Sequence, residues 1–154
     1  MGASREEGLL TGMLTREHRK LDDLWGQALT TLKGEVTAAG TPLECFANEL
    51  RRHIRDEEEI FFPGFEERTG LTAGPTAVMR MEHRQLEVLL QALAAGVHGG
   101  ASDRLGEHAA ALSSLLDSHD KKEEGMLYPM MDRVFDEDDG LALLARAGLK
   151  RGPQ

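Results

Sequence analysis

The sequence predicts an all-α protein: an up-down-up-down antiparallel four-helix bundle followed by a short C-terminal helix. Three observations lead there. Leu and Ala abound, aromatics make up only 5% of the chain, and no run of alternating β-branched residues occurs. Gly and Pro divide the chain into four long segments joined by short connections. Within each segment the apolar residues recur at three- and four-residue steps, the spacing of one helix face.

The first helix runs from about Thr15, or from Ser4 if the Ser4–Glu7 capping box is used, to near Lys33, where Gly34 ends it. Its apolar stripe is Leu14, His18, Leu21, Trp25, Ala28 and Leu32. The second begins with Thr41 as N-cap, Pro42 at the first helical position and Glu44 closing a capping box. It runs to about Phe62, where Pro63 and Gly64 interrupt it, with Leu43, Phe46, Leu50, His53, Glu57 and Ile60 as its stripe. A loop around Thr69 to Gly74 follows. Pro75 opens the third helix, which ends near Val97 and carries Met79, His83, Leu86, Leu90, Leu93 and Val97. Ser102 caps the fourth, which runs towards Pro129 with Leu112, Leu116, His119, Glu123, Met126 and Met130 inward. The acidic stretch Asp136 to Asp139 and Gly140 set off a tail, Leu141 to Leu149, expected to be a small packing helix before disordered final residues. The expected division is thus a bundle over residues 1–135 and a tail over 136–154.

Composition narrows the function. A net charge of −9 repels nucleic acid and anionic membrane. The longest apolar stretches, such as Val88 to Val97, are too short to span a bilayer, and the N-terminus, with Arg5, Glu6 and Glu7, has no signal-peptide core. The single cysteine, Cys45, excludes an internal disulfide and a thiolate metal cluster. It fits a reducing, cytoplasmic setting and reads as a small buried hydrophobe.

The two halves repeat. Glu17-His18-Arg19-Lys20-Leu21 matches Glu82-His83-Arg84-Gln85-Leu86 at an offset of 65 residues. His53, Glu57-Glu58 and Ile60-Phe61-Phe62-Pro63 match His119, Glu123-Glu124 and Met126-Leu127-Tyr128-Pro129 at an offset of 66. A repeated hairpin buries its apolar face only against its partner. Here the repeated positions include His and Glu as well as Leu.

Four of the six histidines and two glutamates therefore stand where a bundle core should be. A lone His on an apolar face is usually a packed core residue; four on four helices are not. A buried carboxylate costs several kcal/mol unless it is paired or binds metal, and neither Glu57 nor Glu123 has a basic partner on its stripe. A metal ion supplies the missing charge. His and Glu four apart project the same way, one turn separated. Asp22 and Glu87 also follow a histidine by four, but Leu21 and Leu86 claim the core direction beside them; both acids read as solvated or as partners behind the ligands. His98 and His108 have no equivalent in the repeat and read as structural or surface residues. Four imidazoles and two carboxylates without sulfur suit iron, manganese or zinc. Six donors exceed one tetrahedral zinc and suit two metals. No Glu stands three residues before any of the four histidines, which disfavours a ferritin-type di-iron site.

The ordered set His18, His53-x-x-x-Glu57, His83, His119-x-x-x-Glu123 resembles the hemerythrin-like HHE cation-binding family, over about Thr15 to Pro129. The resemblance implies two irons: one bound by His18 and His53, the other by His83 and His119. Glu57 and Glu123 would bridge them, with an oxo, hydroxo or water bridge between. It also implies a small diatomic or peroxide ligand (O2, NO or H2O2), with a protein partner or homodimer left open. Oxygen-carrying hemerythrins add a second histidine one turn from the third-helix ligand and take an aspartate bridge from helix four. Here Met79 and Glu87 flank His83, and Glu123 stands at the bridge. Simple oxygen carriage is thereby disfavoured against sensing, handling of nitric oxide or peroxide, or iron-centre repair. An enzyme among these would need a proton source; Tyr128 is a candidate, although it reads first as a rim aromatic matching Phe62.

Overall fold

The structure, a computed structural model, describes residues 7–99 and 104–151. Its backbone is four long rods and one short helix. The first rod is α1, Leu9–Lys33. After a 3-10 turn, Val36–Ala39, the second rod is built from α2, Gly40–Asp56, a π turn, Glu57–Phe61, and α3, Phe62–Thr69. The third is α4, Pro75–His98. The fourth repeats the second: α5, Leu105–Lys122, a π turn, Glu123–Leu127, and α6, Tyr128–Val134. The short helix α7 spans Glu137–Arg146. The described residues form the expected helical bundle, with no strand among them.

Several boundaries differ from the sequence expectation, each for a local reason. The start of α1 moves to Leu9 because a distant acid caps it: Asp132 on α6 accepts from the Leu10 and Thr11 amides at 2.8 and 3.0 Å. Gly8 is required there, since a Cβ would lie 2.0 Å from Asp132 Oδ2. The Ser4 and Ser102 caps lie outside the described residues. Thr41 is not the cap of α2. The 3-10 turn delivers Ala39 already in helical conformation, so no side chain caps the start. Pro42 still falls in the first turn, where its missing N–H is harmless. The acidic run expected to separate the tail is instead the first turn of α7: Asp136 caps it, accepting from the Asp139 amide at 2.8 Å, and Glu137 to Asp139 complement the helix dipole. Cys45 is exposed rather than buried.

Pro63 does not end the second rod. In an α turn the carbonyl four residues before it would wait for an N–H that proline lacks. The π turn instead bonds the Phe62 amide to the Glu57 carbonyl, five residues back, and Pro63 enters the first turn of α3. Glu123 and Tyr128 do the same ahead of Pro129. Each π turn adds a residue and shifts the inward register. After Glu57 the core position is Phe61 rather than Ile60. After Glu123 it is Leu127, while Met126 is 46% exposed; further on, Met131 replaces Met130.

The apolar residues form two clusters. One, around Trp25, Phe46, Leu50, Leu86 and Leu90, fills one end of the bundle. The other, around Leu14, Phe61, Phe62, Phe65, Leu127 and Met131, fills the opposite end, closed by Leu143 and Leu144 of α7. The buried histidines, with Glu57 and Glu123, lie between these clusters. None of the described helices is long and apolar enough to cross a membrane.

Candidate metal centre

All six residues proposed from the sequence as ligands are buried, and the structure brings them together at the waist between the two apolar clusters. His18 comes from α1, His53 from α2, His83 from α4 and His119 from α5. Glu57 and Glu123 open the two π turns, one helical turn beyond His53 and His119. The rings pair: His18 and His53 centroids are 5.0 Å apart, His83 and His119 4.8 Å.

The carboxylates stitch the halves together. Glu57 Oε1 lies 3.4 Å from His53 Nε2 of its own half and 3.3 Å from His83 Nε2 of the other. Glu123 Oε1 lies 3.2 Å from His119 Nε2 and 3.1 Å from His18 Nε2. All four Nε2 atoms therefore face the same centre. Among the described residues, His53 Nε2, His83 Nε2, Glu57 Oε1 and Glu123 Oε2 are fully enclosed without a hydrogen-bond partner. Buried polar groups are rarely left so, and these four belong to the set best suited to hold cations. Glu57, His83, His119 and Glu123 each offer a donor atom within 4.8 Å of one another, as do His18, His53 and Glu123. The residues present fit a metal centre.

Behind the imidazoles stand acids absent from the proposed ligand set. His18 Nδ1 donates to Glu124 at 2.7 Å, His83 Nδ1 to Glu58 at 2.6 Å and His119 Nδ1 to Glu82 at 2.9 Å. Such bonds hold the ring proton on Nδ1 and leave Nε2 free to bind metal. Glu82 is in turn held by Lys122. Glu17 is the repeat counterpart of Glu82, but it takes Arg52 at 2.9 Å. The signal was present in the repeated Glu-His and Glu-Glu pairs: each supporting acid is the chain neighbour of one candidate ligand and serves another on a different helix. Asp22 and Glu87 stand aside, paired with Arg19 at 2.6 Å and with Arg51 through two bonds of 2.8 Å. His98 is exposed and His108 half-buried, both outside the cluster.

Tyr128 is no rim residue. It is fully buried, and its hydroxyl donates to Glu57 Oε2 at 2.7 Å, with Glu123 Oε1 and His18 Nε2 each at 3.0 Å. The π turn carries it inward, one register step from where an α-helical stripe would leave it. Its counterpart Phe62 stacks on His83 at 5.8 Å with a 7° interplanar angle. One side of the centre thus has a phenol where the other has an apolar ring.

Burial and the charges of the cluster act against each other on most of these groups. Burial would lower the His18 imidazole, but Glu123 and Glu124 outweigh it and push it up to about 11. His119 rises to about 9 against the same burial, through Glu123. Burial, reinforced by the Glu123 charge, raises Glu57 to about 8. For Glu123, burial is overcome by His119 and His18, which hold its carboxyl well below the usual range. His53 is pushed well down by burial and then by the charge on His18. Tyr128 rises well above the ordinary phenol range because it is buried beside Glu123 and Glu57.

Comparison with curated proteins and with solved structures gives no match. The family pattern of the Hemerythrin HHE cation binding domain matches residues 9–131, from the start of α1 into α6, and includes every residue of the cluster. The chain belongs to the hemerythrin HHE cation-binding domain family.

Proposed function

We propose that the chain holds two iron ions and handles a small oxidant or nitric oxide: one ion by His18 and His53, the other by His83 and His119, with Glu57 and Glu123 shared. The observation that supports this is the set of enclosed, partnerless donor atoms, drawn from both halves and from both carboxylates. Manganese and zinc suit the same donors as substitutes. Bound iron would supply Lewis acidity and electrons for O2, NO or peroxide.

The chain's own residues favour onward reaction over reversible oxygen carriage. Met79 and Glu87, the neighbours one turn either side of His83, add no further imidazole. Met79 is packed in the apolar cluster around Phe61 and Met131, and Arg51 holds Glu87 outside. Tyr128 keeps a proton on its hydroxyl 3.0 Å from His18 Nε2, so a reduced oxidant formed here has a proton within reach. The apolar clusters above and below exclude water and increase the weight of every charge inside.

The test combines metal analysis with gas cycling. Iron-loaded protein should carry two ions per chain. Glu57→Ala and Glu123→Ala should lose metal, while Asp22→Ala and Glu87→Ala keep it. After oxygenation of the reduced protein and removal of oxygen, the deoxy spectrum should not return in full. Repeated full recovery would restore the carrier reading, and one ion or none after careful loading would remove the two-metal centre.

A further inference from the structure

We propose that cations reach the centre through the groove between α1 and α5, with Asp120, Glu124 and His18 forming a transit position at its inner end. The proposal rests on the two-metal reading above and adds the route by which that site is filled.

The groove has a volume of about 450 Å3. Trp25 and Leu116 line it, Asp22 and Asp117 contribute acids from its two helices, and Asp120 and Glu124 line it beside His18. Asp120 is only 8% exposed, and among the described residues its carboxylate has one charged partner, His18. Its Oδ1 lies 3.5 Å from His18 Nε2, the same nitrogen that faces Glu123 in the centre. His18, Asp120 and Glu124 each offer a donor atom within 4.8 Å of the others. One imidazole thus joins the groove to the cage. Beyond it, partnerless donors mark where a cation comes to rest.

The internal repeat supplies a control within the molecule. The 65- and 66-residue offsets map Asp22 onto Glu87, Asp117 onto Arg51, Asp120 onto Ile54 and Glu124 onto Glu58. On that face, between α2 and α4, Arg51 clamps Glu87 across the groove through two bonds of 2.8 Å. The cavity there is about 60 Å3; Arg51 lines it, and neither Ile54 nor Glu58 does. An apolar Ile54 stands where the open groove has a buried carboxylate. The repeat keeps both ligand sets but leaves one groove open and acidic, the other shut.

The bases of the open groove do not close it. Lys121 is held by Asp117 at 2.8 Å. Arg19 is exposed and straps Asp22 at 2.6 Å to Glu124 at 2.7 Å. An arriving divalent ion can replace this guanidinium between the two acids, since Arg19 gives each acid a single bond from an exposed side chain, whereas Arg51 grips Glu87 through two. Carboxylate oxygens then pass the ion inward to His18, from hard donors to the mixed set of the centre.

The test is stopped-flow uptake of Co(II) by the metal-free protein, followed by visible absorption, with elemental analysis of the end point. Asp120→Asn removes the inner charge at constant size. Asp117→Arg copies the seal of the other face by giving Asp22 a partner across the groove, from α5. Both should slow uptake about tenfold or more, the scale of electrostatic steering into a cleft, with the final two ions per chain unchanged. Arg51→Ala, with Ile54 still beneath it, should leave the rate unaltered. Wild-type rates in both groove variants would overturn the proposal. So would a lower end point in Asp120→Asn, which would make Asp120 a resident ligand, or an equal slowing in Arg51→Ala. A wild-type protein that takes up no Co(II) would count instead against the two-metal reading.

Discussion

His18 shows how a buried imidazole behaves among acids. Three acids, Glu123, Glu124 and Asp120, surround it and keep it charged to about pH 11. A folded-state pKa above the unfolded value means that the native state binds more protons, so stability falls as pH rises. For His18 and His119 that contribution is complete below the unfolded value near 6.5 and is lost as pH rises through about 11 and about 9 respectively. Glu57, raised by burial to about 8, and Asp120, raised by burial to about 7, act in the same direction over the lower part of that range. His53, lowered by burial, opposes them, but only as pH falls below about 6.5. The expected outcome is a melting temperature of metal-free protein that declines steadily from about pH 6.5 to 9. Metal-loaded protein should decline less, because the ions replace the protons. Melts in chelator and with iron at three pH values check this; a flat or rising metal-free series would contradict it.

Among the elements, the two π turns set the register. Gly125 lies in the second, exposed, with nothing within 4 Å of the position its Cβ would take. Gly125→Ala should therefore be neutral or stabilising by up to about 1 kcal/mol, from helix propensity alone. Deleting Gly125 is a different event. It would return the turn to α geometry and rotate everything after it by about 100°. Leu127, Tyr128 and Met131, all fully buried, would leave the core, at a cost of about 3 kcal/mol or more. Thermal melts of the two variants should diverge accordingly; similar melting temperatures would mean that the π turn does not fix the register. Tyr128 should also lose its bonds to Glu57 and Glu123, altering the absorption of the chain's only tyrosine.

At the scale of the whole molecule, the sequence displays what is periodic and hides what is not. The stripe Met79, His83, Leu86, Leu90, Leu93, Val97 is buried throughout, because α4 is one uninterrupted helix. The stripes of the second and fourth rods hold only as far as Glu57 and Glu123, where one extra residue per π turn breaks a pattern that assumes a constant period. Ile60, Met126 and Met130 leave the expected core positions for that reason, and Tyr128 enters the core. Glu58, Glu82 and Glu124 escaped because they stand one position off their own stripe and reach across to a histidine on another helix. Spacing within one helix carries no trace of such a partner. Cys45 departs from the general habit of free cysteines because it stands on the outward side of α2, beside the buried Phe46.

The reach of Glu57 to His83, and of Glu123 to His18, makes the centre a seam between two hairpins that share one covalent connection, residues 70–74, most of it exposed. That connection is a place to divide the molecule. Two polypeptides ending and beginning at Ala73 would each carry one histidine pair, one of the two shared carboxylates and an apolar face with nothing to cover it. Mixed with Fe(II) or Co(II), they should migrate as a single species in size-exclusion chromatography; with chelator they should separate or associate far more weakly. Association unaffected by chelator would assign the seam to the apolar clusters alone. A metal-dependent result would make the divided bundle a fragment-complementation pair, an assembly whose trigger is the ion itself.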